Sequence, residues 1–260
     1  MPKNMKKYST KNYNFLSIQV RSLAFNIFLP IWTVINSTIL SPLIIFKNPK
    51  LMSLLGISWS YVVIYVLKIL CKIQINVLGE QNLPESPFII ACKHQSTLET
   101  AFFQQYLKFP VYVIKKELLK IPFYGWFLKY MGMIPVDRNG DIASFRQMLR
   151  NCQINIQQKR TIIIFPEGTR VKPFESTKYH EGITAIKKKF PNIPIIPIAL
   201  NSGLFWPKNS WLKYPGIMTF KILPRLDENI KNKEITIKLK EIIDSNSDNL
   251  CSDLLNTRKK

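Results

Sequence analysis

At 260 residues the chain has room for one large domain, or for a smaller domain with an attachment segment, and either can bury a sizeable core. Its 37 Lys+Arg against 16 Asp+Glu give a formal charge of +21, which implies nucleic acid, an acidic membrane surface or an anionic substrate as partner, although Lys-rich surfaces are also simply solvated. Nucleic acid fits poorly, because no such motif occurs and the aromatic residues fall in apolar runs rather than among basic ones.

Residues 1–21 form a basic, polar start. Residues 22–46 then carry no charge, a run longer than the ~20 apolar residues a bilayer span needs. After KNPK comes a second uncharged run over 51–67. The region is too long for a removable signal peptide and shows no clear small-residue cleavage site. A buried soluble hairpin is the plain alternative, but two such runs in succession favour a two-helix membrane anchor over 22–70. Basic residues flank both runs: Lys11 and Arg21 before, Lys47 and Lys50 between, Lys68 and Lys72 after. The positive-inside tendency places all three clusters on the cytoplasmic side, which favours a hairpin seated in the cytoplasmic leaflet. Two full spans, with the KNPK loop outside, are the rival. Pro30 and Pro42 interrupt the first run and can bend it.

From residue 71 the pattern changes to that of a folded domain, over 71–230. KIQINV alternates polar and apolar like a half-buried strand, whereas PFIIAC, VYVI, MIPV, TIIIF and IPIIPIA are short apolar runs typical of strands covered on both faces. Helical patterns lie between several of them, over 98–107, 118–130, 142–157 with Asp141 as N-cap, and 183–190. GIMTFKILPRL adds a strand, and 231–260 reads as a charged helical tail ending in TRKK. Strands alternating with helices predict an α/β domain with a mixed, largely parallel sheet flanked by helices. Such sheets place their chemistry on loops after strand C-termini.

The first of these loops carries His94, one of two histidines, with Glu99 five positions on. A neutral imidazole takes a proton from a hydroxyl near neutral pH, and a carboxylate on its other nitrogen fixes the tautomer and stabilises the imidazolium. Two plainer readings stand beside this one. His94 can be a structural histidine, and Ser96-Thr97-Leu98-Glu99 matches a capping box in which the acid only bonds the N-cap amide. His180, beside Glu181, is the other candidate base. Cys92 lies two residues from His94 but reads as a small core residue rather than a nucleophile. The four cysteines are scattered, with no CxxC pair or Cys/His cluster, so neither zinc nor a disulfide framework is expected and a reducing setting fits.

Later strand ends repeat the pattern. TIIIF runs into Pro166-Glu167-Gly168-Thr169-Arg170, where glycine permits close backbone approach and arginine offers a rigid fork for phosphate. A strand-terminating turn with a surface arginine is the bland alternative. GMIPVDR places Arg138 past another strand end, and Lys115 and Lys116 follow VYVI. His94, Lys115, Arg138 and Arg170 are thus expected to converge on an anionic, hydroxyl-bearing substrate.

Together these stretches resemble the glycerolipid acyltransferase family, specifically the 1-acyl-glycerol-3-phosphate (lysophosphatidic acid) acyltransferases. The family's histidine–four residues–aspartate motif appears as His94-Gln95-Ser96-Thr97-Leu98-Glu99, with glutamate in place of aspartate. Its other motifs are matched by residues 132–138, by Phe165-Pro166-Glu167-Gly168-Thr169-Arg170, and by the proline-bearing 195–200. The resemblance covers about 72–205. It implies that His94 is the general base on the glycerol 2-hydroxyl and that Glu99 orients it. It further implies that Arg138, Arg170 and Lys115 hold the phosphate, and that Glu167, Gly168 and Thr169 bind or shape the acceptor. The acyl donor would be a thioester, acyl-CoA or acyl carrier protein, with no metal or redox cofactor. The setting would be the cytoplasmic face of a bacterial-type inner membrane, whose anionic surface attracts the cationic domain. The rivals are acylation of another lysolipid and a non-catalytic membrane lipid-binding protein.

Overall fold

The computed structural model describes residues 14–121, 124–137 and 142–257. Helix α1 (Phe15–Leu40) starts ahead of the uncharged run and continues through Pro30. A short 3-10 turn (Ser41–Phe46) follows with Pro42 in its first turn, and Lys47 adopts a left-handed conformation that turns the chain back. Asn48 then opens α2 (Pro49–Cys71) by accepting hydrogen bonds from the amides of Lys50 (3.0 Å) and Leu51 (3.3 Å). Both apolar stretches are long enough to cross a membrane, with mean hydropathy 1.7 and 1.9.

The remainder builds one seven-stranded sheet in the order β1-β7-β6-β2-β5-β3-β4. Its strands are β1 (Ile73–Leu78), β2 (Ile89–Cys92), β3 (Val111–Lys115), β4 (Ile134–Val136), β5 (Ile162–Ile164), β6 (Ile195–Leu200) and β7 (Gly216–Ile222). Five adjacent strands run parallel, and β7 reverses direction against β6 while pairing parallel with β1. The α/β architecture read from alternating patterns is therefore the one present.

Burial explains the patterns. Every residue of β2, β5 and β6 is buried, as continuous apolar runs require, while β1 alternates along its length. Helix α3 (Leu98–Tyr106) packs on α2, and its Phe102 stacks on Phe220 of β7 with ring centroids 4.0 Å apart. Helices α5 (Ile142–Gln157), α6 (Gly182–Lys189) and α7 (Ile235–Thr257) pack successively on one another, α7 also lying along β6. Burial of each isoleucine in this core stabilises the fold by about 1.5–3 kcal/mol.

Two details depart from the patterns. The helix expected over 118–130 is a 3-10 turn (Lys116–Lys120) followed by the short α4 (Tyr124–Tyr130). The stretch read as a charged tail supplies α7, whose Ile235, Leu239, Ile243 and Cys251 are buried in the main core. Lys238 and Glu241 sit on its outer face, and such charges hid the inner stripe. Asp141, expected to cap α5, lies outside the described residues.

Candidate active site

Parallel neighbours bring their C-terminal ends to one edge of the sheet. Because β2 and β5 are hydrogen-bonded partners, with Ala91 opposite Ile164, the turn after β2 meets the turn after β5. The amide of His94 donates to Glu167 Oε2 (2.8 Å), and the amide of Val171 donates to the His94 carbonyl (2.7 Å). His94 stacks on Phe165, with ring centroids 4.0 Å apart and planes 19° from parallel.

The ring is held by its other edge as well. Nδ1 of His94 lies 3.1 Å from Glu99 Oε2. A carboxylate accepts only, so Nδ1 carries the proton in this contact and Nε2 is left as the basic atom. The Glu99 side chain is fully buried, whereas that of His94 is 17% exposed. Glu99 also accepts from the amides of Ser96 (2.9 Å) and Gln95 (3.4 Å) and from the Ser202 hydroxyl. The capping box and the histidine contact are therefore not alternatives. One carboxylate makes both.

His94 faces a cavity of about 620 Å³. Thr97, Lys115, Gly168, Thr169 and Arg170 line the same cavity. Its apolar lining includes Leu29 of α1, Met52, Leu55 and Trp59 of α2, and Leu118, Phe127 and Met133 from the stretch between β3 and β4. Arg170 Nη1 donates to Thr97 Oγ1 at 3.0 Å, which keeps the guanidinium on the histidine side. Gly168 turns the chain there with φ +64°, its amide donating to the Phe165 carbonyl at 2.9 Å.

Among the expected site residues, the structure gathers His94, Glu99, Lys115, Gly168, Thr169 and Arg170. Arg138 lies outside the described residues. The Glu167 side chain is fully enclosed, Oε1 pairing with Lys93 Nζ at 2.7 Å, and it does not line the cavity. His180 is exposed and contributes only its amide, donating to the Pro166 carbonyl at 2.8 Å. Cys92 is fully buried, and burial pushes its thiol well above the ordinary range, as suits a core residue.

Three participants escaped the sequence reading. Lys93, 1% exposed, bridges Glu167 and Asp244 Oδ1, both at 2.7 Å. Ser202 reaches Glu99 from the end of β6. Lys93 had a signal, being a charge at the close of an apolar run. Ser202 had only its place after a strand, and Asp244, on a distant helix, had none. Among the described residues no cluster of three or more His, Cys, Asp and Glu side chains is arranged to hold a metal.

A carboxylate held against a partly exposed imidazole, flanking cations and an apolar-lined cavity together suit transfer of an acyl group to a hydroxyl. Residues 74–201 match the family model described as Acyltransferase. The chain carries an acyltransferase domain.

The domain is similar to the 1-acyl-sn-glycerol-3-phosphate acyltransferase of Pseudomonas aeruginosa, at 35% identity over 65% of this chain and 65% of that protein. It is also similar to the enzyme of the same name from Saccharomyces cerevisiae, at 30% identity over 66% of this chain and 58% of the relative. The match thus spans less than two thirds of either relative's length. The fold is also that of the 1-acyl-sn-glycerophosphate acyltransferase crystal structure from Thermotoga maritima. That likeness has a TM-score of 0.72 at 19% identity, over 90% of this chain and 97% of the other.

Proposed function

We propose that this acyltransferase moves a fatty acyl group from an acyl thioester, acyl-CoA or acyl carrier protein, to the 2-hydroxyl of 1-acyl-glycerol-3-phosphate, giving phosphatidic acid for phospholipid synthesis. The observation that carries the reading is His94, tied to Glu99 and opening on one cavity with Lys115 and Arg170. His94 Nε2 takes the hydroxyl proton as the oxygen attacks the thioester carbonyl, forming a tetrahedral oxyanion. The C–S bond then breaks, and the departing sulfur takes the proton back from the imidazolium. Arg170 and Lys115 hold the acceptor's phosphate. The thioester is already activated, so this route calls on no metal or redox cofactor.

The two apolar helices support membrane association, and the basic residues before, between and after them support a hairpin in the cytoplasmic leaflet over two full spans. Ser22 accepts from the Lys213 amide (2.9 Å) and Asn26 donates to the Trp211 carbonyl (2.7 Å), so α1 lies against the domain up to Asn26. Beyond Asn26 the apolar stretch runs on through Leu40 and the 3-10 turn to Phe46. Its outward Ile27, Ile31, Val34 and Ile39 suit lipid contact. A bacterial-type inner membrane provides both the anionic surface and the substrate.

An acceptor screen tests the reading. A thioester donor is offered with lysophosphatidic acid, other lysolipids and glycerol-3-phosphate, with products identified by mass. Phosphatidic acid should dominate with the wild type and vanish with His94→Ala. A different preferred acceptor would reassign the substrate. Lipid binding by both proteins without thioester consumption by either would make this a non-catalytic binder.

A further inference from the structure

Beneath the site lies a charged group that the proposed chemistry does not consume. Lys93 directly precedes the base and is almost wholly enclosed, an expensive place for an ammonium without partners. Its Nζ sits 2.7 Å from Glu167 Oε1 and 2.7 Å from Asp244 Oδ1. Glu167 uses its other oxygen to accept from the His94 amide at 2.8 Å. Asp244 comes from α7, where Ser176 Oγ (2.6 Å) and Lys240 Nζ (3.0 Å) donate to Oδ2 and Tyr179 Oη (3.2 Å) to Oδ1. An unbroken chain of charged contacts thus runs from α7, through Lys93 and Glu167, to the backbone of the residue whose ring does the chemistry.

The chain fixes two things at once. Glu167 begins the turn that carries Gly168, Thr169 and Arg170, so the carboxylate that orders the His94 amide also anchors the arm holding Arg170. The turns after β2 and β5 are otherwise joined by the Val171 amide on the His94 carbonyl and by Arg170 on Thr97. The Arg170 contact is a single side-chain hydrogen bond at the cavity, where a substrate phosphate would compete for the same guanidinium. The ionic chain remains satisfied whatever the cavity holds.

We propose that Lys93, Glu167 and Asp244 are positioning residues: a buried ionic clamp through which α7 holds His94 and the Arg170-bearing turn in register for the transfer. The inference rests on the acyltransferase reading above for its effect on turnover, but not for its effect on the His94 backbone.

The test uses the full chain in detergent, with two readouts and one control. The protein holds only two histidines, so [15N]histidine labelling reports two backbone amides, assigned by His180→Gln. Asp244→Asn keeps side-chain size and removes the charge that Lys93 meets on α7. Leu239→Ala removes buried volume from the same helix and leaves the three ionic groups intact. Asp244→Asn should speed hydrogen exchange at the His94 amide at least tenfold and lower kcat at least tenfold, with KM for the thioester within about twofold. Leu239→Ala should lower the melting temperature yet, below it, keep kcat and the His94 exchange rate within about twofold. Lys93→Arg, which retains the charge, should recover more kcat than Lys93→Met.

The clamp is refuted if Asp244→Asn leaves His94 exchange unchanged, or if both α7 variants lose kcat in proportion to lost stability. A wild type that transfers no acyl group, but whose His94 amide responds as described, would instead sink the functional reading and leave the clamp standing.

Discussion

At the residue scale, Glu99 departs from the family aspartate that the sequence resemblance led us to expect, and the structure shows how it is accommodated. The longer side chain reaches Nδ1 at 3.1 Å while still receiving the Ser96 amide and the Ser202 hydroxyl. Every one of these contacts donates to the carboxylate, so Glu99→Gln must turn an NH2 toward one of the donors and removes the charge that balances an imidazolium. Its kcat is expected to fall by ~10³–10⁴, the scale seen when an orienting aspartate becomes an amide. Glu99→Asp keeps the charge and, with a small shift of the start of α3, should stay within about tenfold of wild type. Steady-state turnover of the three proteins decides it, and equal rates would leave Glu99 a helix cap. Sequence alone left cap and orienter as rivals because both need an acid at the same spacing. Only the third donor, from a strand end about a hundred residues away, shows that the carboxylate serves several partners.

At the element scale, most of the sheet was legible and the helical edges were not. Continuous isoleucine runs announced β5 and β6, and the 3.6-residue pattern over 142–157 coincides with α5. The division of labour between α1 and α2 was hidden, because a uniformly apolar helix carries no stripe to say which face meets protein. The structure turns one face of each toward the cavity. Gly56 on α2 leaves little room at the cavity wall: a Cβ there would stand 2.8 Å from Met131 Cε and 3.1 Å from Gln104 Nε2. Both are ends of flexible side chains that can yield, so Gly56→Val should fold with its methyl groups occupying cavity space. Each methylene denied burial costs about 0.8 kcal/mol, roughly fourfold in affinity. The expected outcome is a preference shifted toward shorter thioesters, with kcat/KM for the longest accepted chain down about tenfold. Competition among thioesters of graded length measures it, and an unchanged preference would mean that the acyl chain lies elsewhere.

At the scale of the whole molecule, the C-terminal helix closes the fold over the strand that supplies Ser202 and sends Asp244 to Lys93. Burial alone would raise the Asp244 carboxyl, but hydrogen bonds from Lys93, Ser176 and Lys240 outweigh it and hold it below the ordinary carboxylate range. For Lys93, burial opposes the charge, yet Glu167 and Asp244 overcome it and raise its pKa above the usual lysine value. The two shifts act at opposite ends of the pH scale. A carboxyl with a depressed folded pKa stabilises fully above its unfolded value and loses that contribution as pH falls through the folded value. An amine with a raised folded pKa stabilises fully below its unfolded value and loses it as pH climbs through the folded one. Stability from the Lys93–Asp244 contact should therefore hold across neutral pH and fade at both extremes. Breaking it with Asp244→Asn should cost about 2 kcal/mol at pH 7, the range for a charged hydrogen bond, or roughly 4–8 °C in melting temperature. The gap between wild type and variant should then narrow as acid protonates Asp244 and makes the two side chains electrically alike. Melting curves from pH 3 to 7 test this, and a gap that stayed constant with pH would show that the Asp244 charge contributes nothing to holding the helix on the domain.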